Sequence, residues 1–289
     1  MNITRSSKRK TKISDVLLKM VVYFASFSSL FVMGSVIFYI FFNGLKKINW
    51  EFLASAYSEG SGPKGILPMI INTIYVVLIT TFISFPLGLG VSVYTTQYLK
   101  NKIFKDTISF SLDILSGIPS IIFGIFGYSI FCVKCGLNTS IIAGCLTMSI
   151  CILPTIIRTS EEALRKVPNE YKEAAFALGT KNLRVLFTIV LRTALPEILS
   201  SIALYVGKIL GESAIFIYTL GMSYRLPKGI ISHIFSSGRT LTLHIYQTAK
   251  QANTSDSIEL TFASSCVLIV LILLINLSFD FLFKRLRKN

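Results

Sequence analysis

Six apolar runs, each long enough to cross the roughly 30 Å hydrocarbon layer of a bilayer, dictate most of what this chain can become. Met20–Phe42, Leu67–Tyr94, Ile114–Phe131, Leu137–Ile157 and Leu260–Phe279 contain no charged residue, and Ile198–Leu220 is interrupted only by Lys208 and Glu212. Backbone polar groups in hydrocarbon must be satisfied within the segment, so these runs predict an all-α membrane protein with six transmembrane helices. Composition agrees. Of 289 residues, 52% are hydrophobic and the mean hydropathy is +0.66, too apolar for a soluble domain of this size. The predicted domain is 20–283, with spans at 20–42, 67–94, 112–131, 137–157, 198–220 and 260–283, a basic arm 1–19 and a basic tail 284–289.

Six spans put both termini on one side of the membrane. Of the 29 Lys and Arg, 20 fall in the arm, the tail and the connections 95–111 and 158–197, and 8 in the opposite connections. The positive-inside rule then predicts cytoplasmic termini. The net charge of +15 reflects topology and contact with anionic lipid rather than nucleic acid, since Arg5–Lys12 adjoins a span. The first apolar run, 23 residues with no small-residue cleavage site after it, reads as an anchor rather than a signal peptide. Cys132 and Cys135 form a lone CxxC on a short outer turn and read as ordinary membrane cysteines, with a disulfide open in an oxidising compartment. His233 and His244, in the outer connection 221–259, have no metal-ligand pattern and read as polar loop residues. The outer connection 43–66 predicts a lateral helix near Trp50–Tyr57 and a glycine-rich turn at Gly60–Gly65.

The intracellular connection 158–197 predicts short helices. Thr159 with Glu162 forms a possible capping box, and Asn182 can start a helix leading back to the membrane. Between them, Pro168–Gly179 (PNEYKEAAFALG) has both ends marked: Pro168 where an N–H is dispensable, Glu170 in the first turn, and Gly179 as a left-handed stop. Val167, Tyr171, Ala174, Ala175 and Leu178 recur at helical spacing, giving an apolar face centred on two alanines that another protein's backbone can approach.

The spacing Glu173-Ala174-Ala175-x3-Gly179, with Ile189 ten residues on, resembles the cytoplasmic loop signature of ABC importer permeases. Phe85-Pro86-Leu87-Gly88, the run from Gly117 through Gly124 to Gly127, the block Glu161–Tyr171 and Gly207–Ser213 are similar to segments of the phosphate-specific permeases, second-subunit type. Together these cover roughly 67–283 in the same order. The chain departs from the pattern at Leu191-Arg192, where a Leu-Pro pair is usual and Leu195-Pro196 comes four residues late. It departs again at Lys208, commonly arginine, and at Ile215, commonly proline.

That resemblance implies the type I ABC importer permease fold. It also implies a heterodimeric partner permease, two copies of an ATPase subunit that bind ATP and Mg, and an extracytoplasmic phosphate-binding protein. Tyr171, Glu173, Ala174, Ala175 and Gly179 are then the residues that dock in the ATPase. No cofactor is expected on this chain, and no enzymatic activity: it has no GxxxxGK[ST] run and no arrangement suited to nucleophilic catalysis.

Lys208 and Glu212 need no family to draw attention. Two ionised groups within a span cost about 5–7 kcal/mol on the insertion scale, against about 3–7 returned by the span's Ile, Leu, Val and Phe. Four residues apart on one helix, they either neutralise each other or line the path of an anion, Lys208 touching it as a point charge and Glu212 tuning that charge. Gly207 and Gly211 beside them read as a close helix contact. Two alternatives stay open: the same machine carrying molybdate, sulfate or a phosphonate, and a membrane anchor or sensor for a signalling complex.

Overall fold

Several helices begin where the sequence supplies a cap or dispenses with a donor. The structure, a computed structural model, describes residues 3–58, 64–226, 229–251 and 255–288; the side chains of 1–14 and 282–289, including most of the basic arm and tail, lie outside the described part. Asn49 accepts from Phe52 N at 2.7 Å to start α2 (Trp50–Ala54), the expected lateral helix; the glycine-rich turn after it falls mostly on 59–63, outside the described residues. Pro68 sits in the first turn of α3 (Leu67–Val93), and Ser140 caps α6 (Ile141–Arg165).

The first helix, α1 (Ile3–Gly44), packs on the last, α13 (Ser255–Lys288), through Tyr39 edge-on to Phe262 at 5.5 Å; its residues 15–39 are all exposed. The centre is the α3–α6 pair, with α9 (Leu191–Gly211) against both. Val76, Val77, Met148, Ile152, Tyr205, Val206 and Ile209 are buried there. Described residues are helical or irregular apart from one isolated bridge, Tyr57 to Lys64.

Among the described residues five stretches are long and apolar enough to cross a membrane: Asp15–Lys47, Leu67–Tyr98, Ile141–Arg165, Asn182–Gly211 and Asp256–Phe279. The third span in chain order is not straight. Where one run over 112–131 is predicted, α4 (Lys102–Gly117) meets α5 (Ser120–Gly127) and the π-helical turn Tyr128–Lys134 at 95°. Ile118 is extended (φ −75°, ψ 127°), as a residue before proline prefers, and Pro119 has no N–H with which to continue α4.

The fifth span is also interrupted. Its helix starts earlier than predicted, through α8 (Asn182–Val185) and the π-helical turn Leu186–Val190, and stops at Gly211; α10 (Ala214–Thr219) is separate. The predicted capping box does not form. Thr159 lies inside α6 with its hydroxyl donating to Thr155 O at 3.0 Å, because α6 runs unbroken to Arg165.

At one end of the bundle lies α7 (Asn169–Ala177). At the other lie α2, α11 (Ile230–Ile234) and α12 (Leu241–Lys250), where Lys47 and Lys64, either side of α2, pair with Asp256 and Glu259 at the start of α13.

Candidate functional site: a surface helix and an interrupted span

Pro168 precedes α7 in an extended conformation (ψ 135°), so the helix starts one residue later than its proline suggests, with Glu170 in its first turn. Gly179 ends it at φ +75°. Gly179 N donates to Phe176 O at 2.9 Å and Thr180 N to Ala175 O at 3.1 Å, the paired bonds of a Schellman stop.

The predicted apolar face divides in two. Ala175 and Val167 are buried and root the helix among Ala163 and Leu164 of α6, Val185, Leu186 and Val190, and Ala194 and Ile198 of α9. Tyr171, Glu173, Ala174, Leu178 and Gly179 are exposed, Leu178 at 86%. The two alanines therefore differ: Ala175 anchors and Ala174 is presented. Sequence spacing groups them because they are neighbours on one arc; it does not say where the root of the helix cuts that arc. Phe176, Leu183 and Phe187, not singled out from sequence, are also exposed around this end.

Lys208 and Glu212 do not share a helix. Glu212 is extended (ψ 131°), and its Oε1 accepts from Ala214 N at 2.8 Å and Ile215 N at 3.3 Å, closing the start of α10. The expected pairing is therefore replaced by a cap: a carboxylate accepting two backbone N–H groups satisfies donors that a helix start leaves open. Lys208 is exposed and has no hydrogen bond or ion pair among the described residues. It shares the open side of α9 with Leu204, Gly207 and Gly211, while Ile202, Tyr205, Val206 and Ile209 face the core. A Cβ at Gly207 or Gly211 would meet nothing within 4 Å, so the close helix contact expected there is absent among the described residues.

The middle of α5 meets the interruption of the fifth span. A Cβ on Gly124 of α5 would stand 3.1 Å from Ala214 O and Ile215 Cα. The glycine lets the backbone of α5 reach the start of α10, beside the Glu212 cap. Nothing in the spacing of either run announces this contact.

At the opposite end, both histidines are buried rather than loop-exposed, a correction to their sequence reading. His233 Nε2 bonds Asn72 Oδ1 at 2.6 Å, while Asn72 Nδ2 donates to Arg239 O at 3.2 Å, knitting the segment before α12 onto α3. Burial lowers the affinity of His233 for a proton. His244, edge-on to Tyr57 at 5.3 Å, is held down to about 3 by burial and then by the charge of Arg239. The five cysteines are free thiols, Cys132 buried and Cys135 exposed. Among the described residues no cluster of His, Cys, Asp and Glu could hold a metal ion.

Residues 84–288 match the family described as binding-protein-dependent transport system inner membrane component. The chain belongs to this family. It is a multi-pass ABC importer permease, similar to the phosphate-system permeases. The probable ABC transporter permease protein YqgI of Bacillus subtilis (strain 168) is 31% identical over 87% of this chain and 90% of its own length. The phosphate transport system permease protein PstA of Pasteurella multocida (strain Pm70) is 28% identical, covering 92% of this chain and 93% of that protein. The PstA homolog of Mycoplasma pneumoniae is 33% identical over 84% of this chain, which spans 37% of that protein. Among solved structures, the inward-facing MetNI methionine ABC transporter matches at TM-score 0.62 with 20% identity, over 76% of this chain and 95% of that one. A bacterial alginate ABC transporter in complex with its periplasmic protein matches at 0.66 with 14% identity, over 100% and 99%. At such identities the structures speak for the type I permease fold alone. Relatives of this kind are permease subunits of transporters, not enzymes.

Proposed function

We propose that this chain is the permease subunit of an ATP-driven importer of inorganic phosphate. The observation that carries the reading is the full-length likeness to a permease named for phosphate transport, 92% of this chain against 93% of the Pasteurella protein. It is joined by a cation, Lys208, on the open side of α9, with no ion pair among the described residues.

In this reading a second permease faces the open side of α9 and completes the path. Two copies of an ATPase subunit sit against α7 in the cytoplasm, and an extracytoplasmic phosphate-binding protein delivers cargo at the end holding α11 and α12. Both termini are then cytoplasmic, in the inner membrane. Tyr171, Glu173, Ala174, Ala175 and Gly179 form the contact that moves when the ATPase closes on ATP, with Ala175 acting as root and the other four as surface. Coupling requires that ATP and the loaded binding protein each stabilise one arrangement of the spans over the other. ATP and Mg are bound by the partner, and this chain holds no cofactor. Lys208 meets the phosphate as a point charge, suited to transient contact because it lacks a bidentate grip.

The test is uptake of labelled phosphate by a strain lacking this chain, with and without its restoration. Loss of high-affinity uptake, restored by the chain, supports phosphate; unchanged uptake eliminates it. Competition by molybdate, sulfate or a phosphonate would then identify the cargo. A scaffold for signalling would fail differently, by not co-purifying with an ATPase that a loaded binding protein stimulates.

A further inference from the structure

We propose that Glu161 is a positioning residue: its carboxylate pins the π-helical end of α3 to the end of α6, so that α3 travels with the surface helix α7. The proposal rests on the reading of α7 as the element an ATPase moves. Glu161 is 6% exposed, and its two oxygens have different partners. Oε1 accepts from the hydroxyl of Thr95 at 2.5 Å, across 66 residues of sequence, and Oε2 accepts from Arg165 at 3.3 Å, one turn along its own helix. Thr95 is 1% exposed and stands in the π-helical turn Tyr94–Tyr98 that ends α3. Such widened turns are frequent at functional sites.

Much of the rest of the contact between α3 and α6 is nonpolar near this end, with Ile156 against Gly88 one to two turns away. Apolar packing is non-directional and fixes the separation of two helices better than their register. A directional hydrogen bond to a buried carboxylate fixes register, because breaking it leaves one buried oxygen without its donor. One turn earlier on α6, Arg158 donates to Ser109 O at 2.9 Å and to Asp113 at 2.6 Å, both on α4. The end of α6 therefore grips the chain on both sides of the α3–α4 connection. The same end continues through Lys166 into Val167, which with Ala175 roots α7 in a cluster that Leu89 and Val93 of α3 also touch. Displacement of α7 thus reaches α6 directly, and it reaches α3 in register only while Glu161 holds Thr95. Spatial continuity alone does not establish coupling, so the test measures coupling itself.

The complete importer, reconstituted with its ATPase and binding protein, is compared across wild type, Thr95→Val, Glu161→Leu and Glu161→Gln. Thr95→Val removes one hydroxyl at constant shape, and Glu161→Gln keeps an acceptor for it. The pin predicts that Thr95→Val and Glu161→Leu lower phosphate delivered per ATP about tenfold. The apparent affinity for loaded binding protein and the stimulated ATPase rate should hold, and Glu161→Gln should restore most of the ratio. An unchanged ratio in Thr95→Val, or a parallel loss of ATPase and uptake, overturns the pin. If Glu161→Leu does not assemble, Thr95→Val decides alone.

A cargo-independent readout separates the two proposals. Spin labels at Lys100 and Lys181 should keep one separation through ATP binding in wild type and change it in Thr95→Val. A wild-type complex that moves no phosphate but behaves this way would sink the cargo and spare the pin; equal distances in both proteins would sink the pin and leave the cargo standing.

Discussion

Lys208 and Glu212 show how far a residue's role depends on where its helix stops. Had α9 continued, an i,i+4 pair would have cancelled both charges. With the helix ending at Gly211, Glu212 accepts from Ala214 N and Ile215 N instead, and Lys208, on the open side, has no ion pair among the described residues. Lys208→Gln should therefore leave the assembled complex intact while lowering uptake, measured as initial rate per complex. A failure to assemble would mean that the charge holds the fold. Glu212→Ala should cost about 1–2 kcal/mol of stability through the lost cap, and Glu212→Gln less, since its amide oxygen still accepts; thermal unfolding in detergent compares them.

His244 makes a pH prediction. Its ring takes a proton near 6.5 when solvated and only near 3 in the fold. Above 6.5 the ring is neutral in both states. As pH falls from there toward 3, the unfolded chain binds a proton that the folded chain refuses. Stability should fall by about 1.4 kcal/mol per pH unit through that window. His233 is shifted in the same direction. His244→Gln should flatten melting temperature against pH between 6.5 and 5, and an equally steep profile would refute this origin.

The surface helix α7 was the most legible element. Proline, glutamate and glycine mark its ends through rules that act within a few residues, and the positive φ of Gly179 follows them. No atom lies within 4 Å of a Cβ there, so Gly179→Val should cost about 1–2 kcal/mol through backbone alone. The protein should insert normally, while ATP hydrolysis runs with diminished uptake; unimpaired transport would refute the need for this stop. The interruptions of the long spans were far less legible. Pro119 marks a break, but its 95° depends on what α5 packs against, and no proline marks the end of α9. Hydropathy records only that a run is apolar, and a bent pair of helices is as apolar as a straight one. Buried polar contacts such as His233 with Asn72 span 161 residues, and no local spacing encodes them. Gly124→Val tests one such contact. Its Cβ would press on the backbone at Ala214 and Ile215, which cannot yield as a side chain does, so both melting temperature and uptake should drop.

As a whole the molecule is unevenly buried. The α3–α6 pair is enclosed, whereas α1 from Asp15 to Tyr39 and the open side of α9 present themselves outward. In a bilayer much of that outward apolar surface meets lipid, whereas the proposed function has α7 covered by an ATPase. Cysteines introduced at Ala174 and Leu178 should react with a membrane-impermeant maleimide from the cytoplasmic side in the isolated subunit and lose that reactivity when the ATPase is present. Labelling from the outside only would reverse the topology, and labelling indifferent to the ATPase would remove α7 from the interface.

The meeting of Gly124 with Ala214 and Ile215 has one more consequence. Two segments that touch at backbone distance constrain each other, so that moving α5 presses on the start of α10. A small wedge lodged at that joint would arrest both at a stroke, without ever competing for the cargo or the nucleotide.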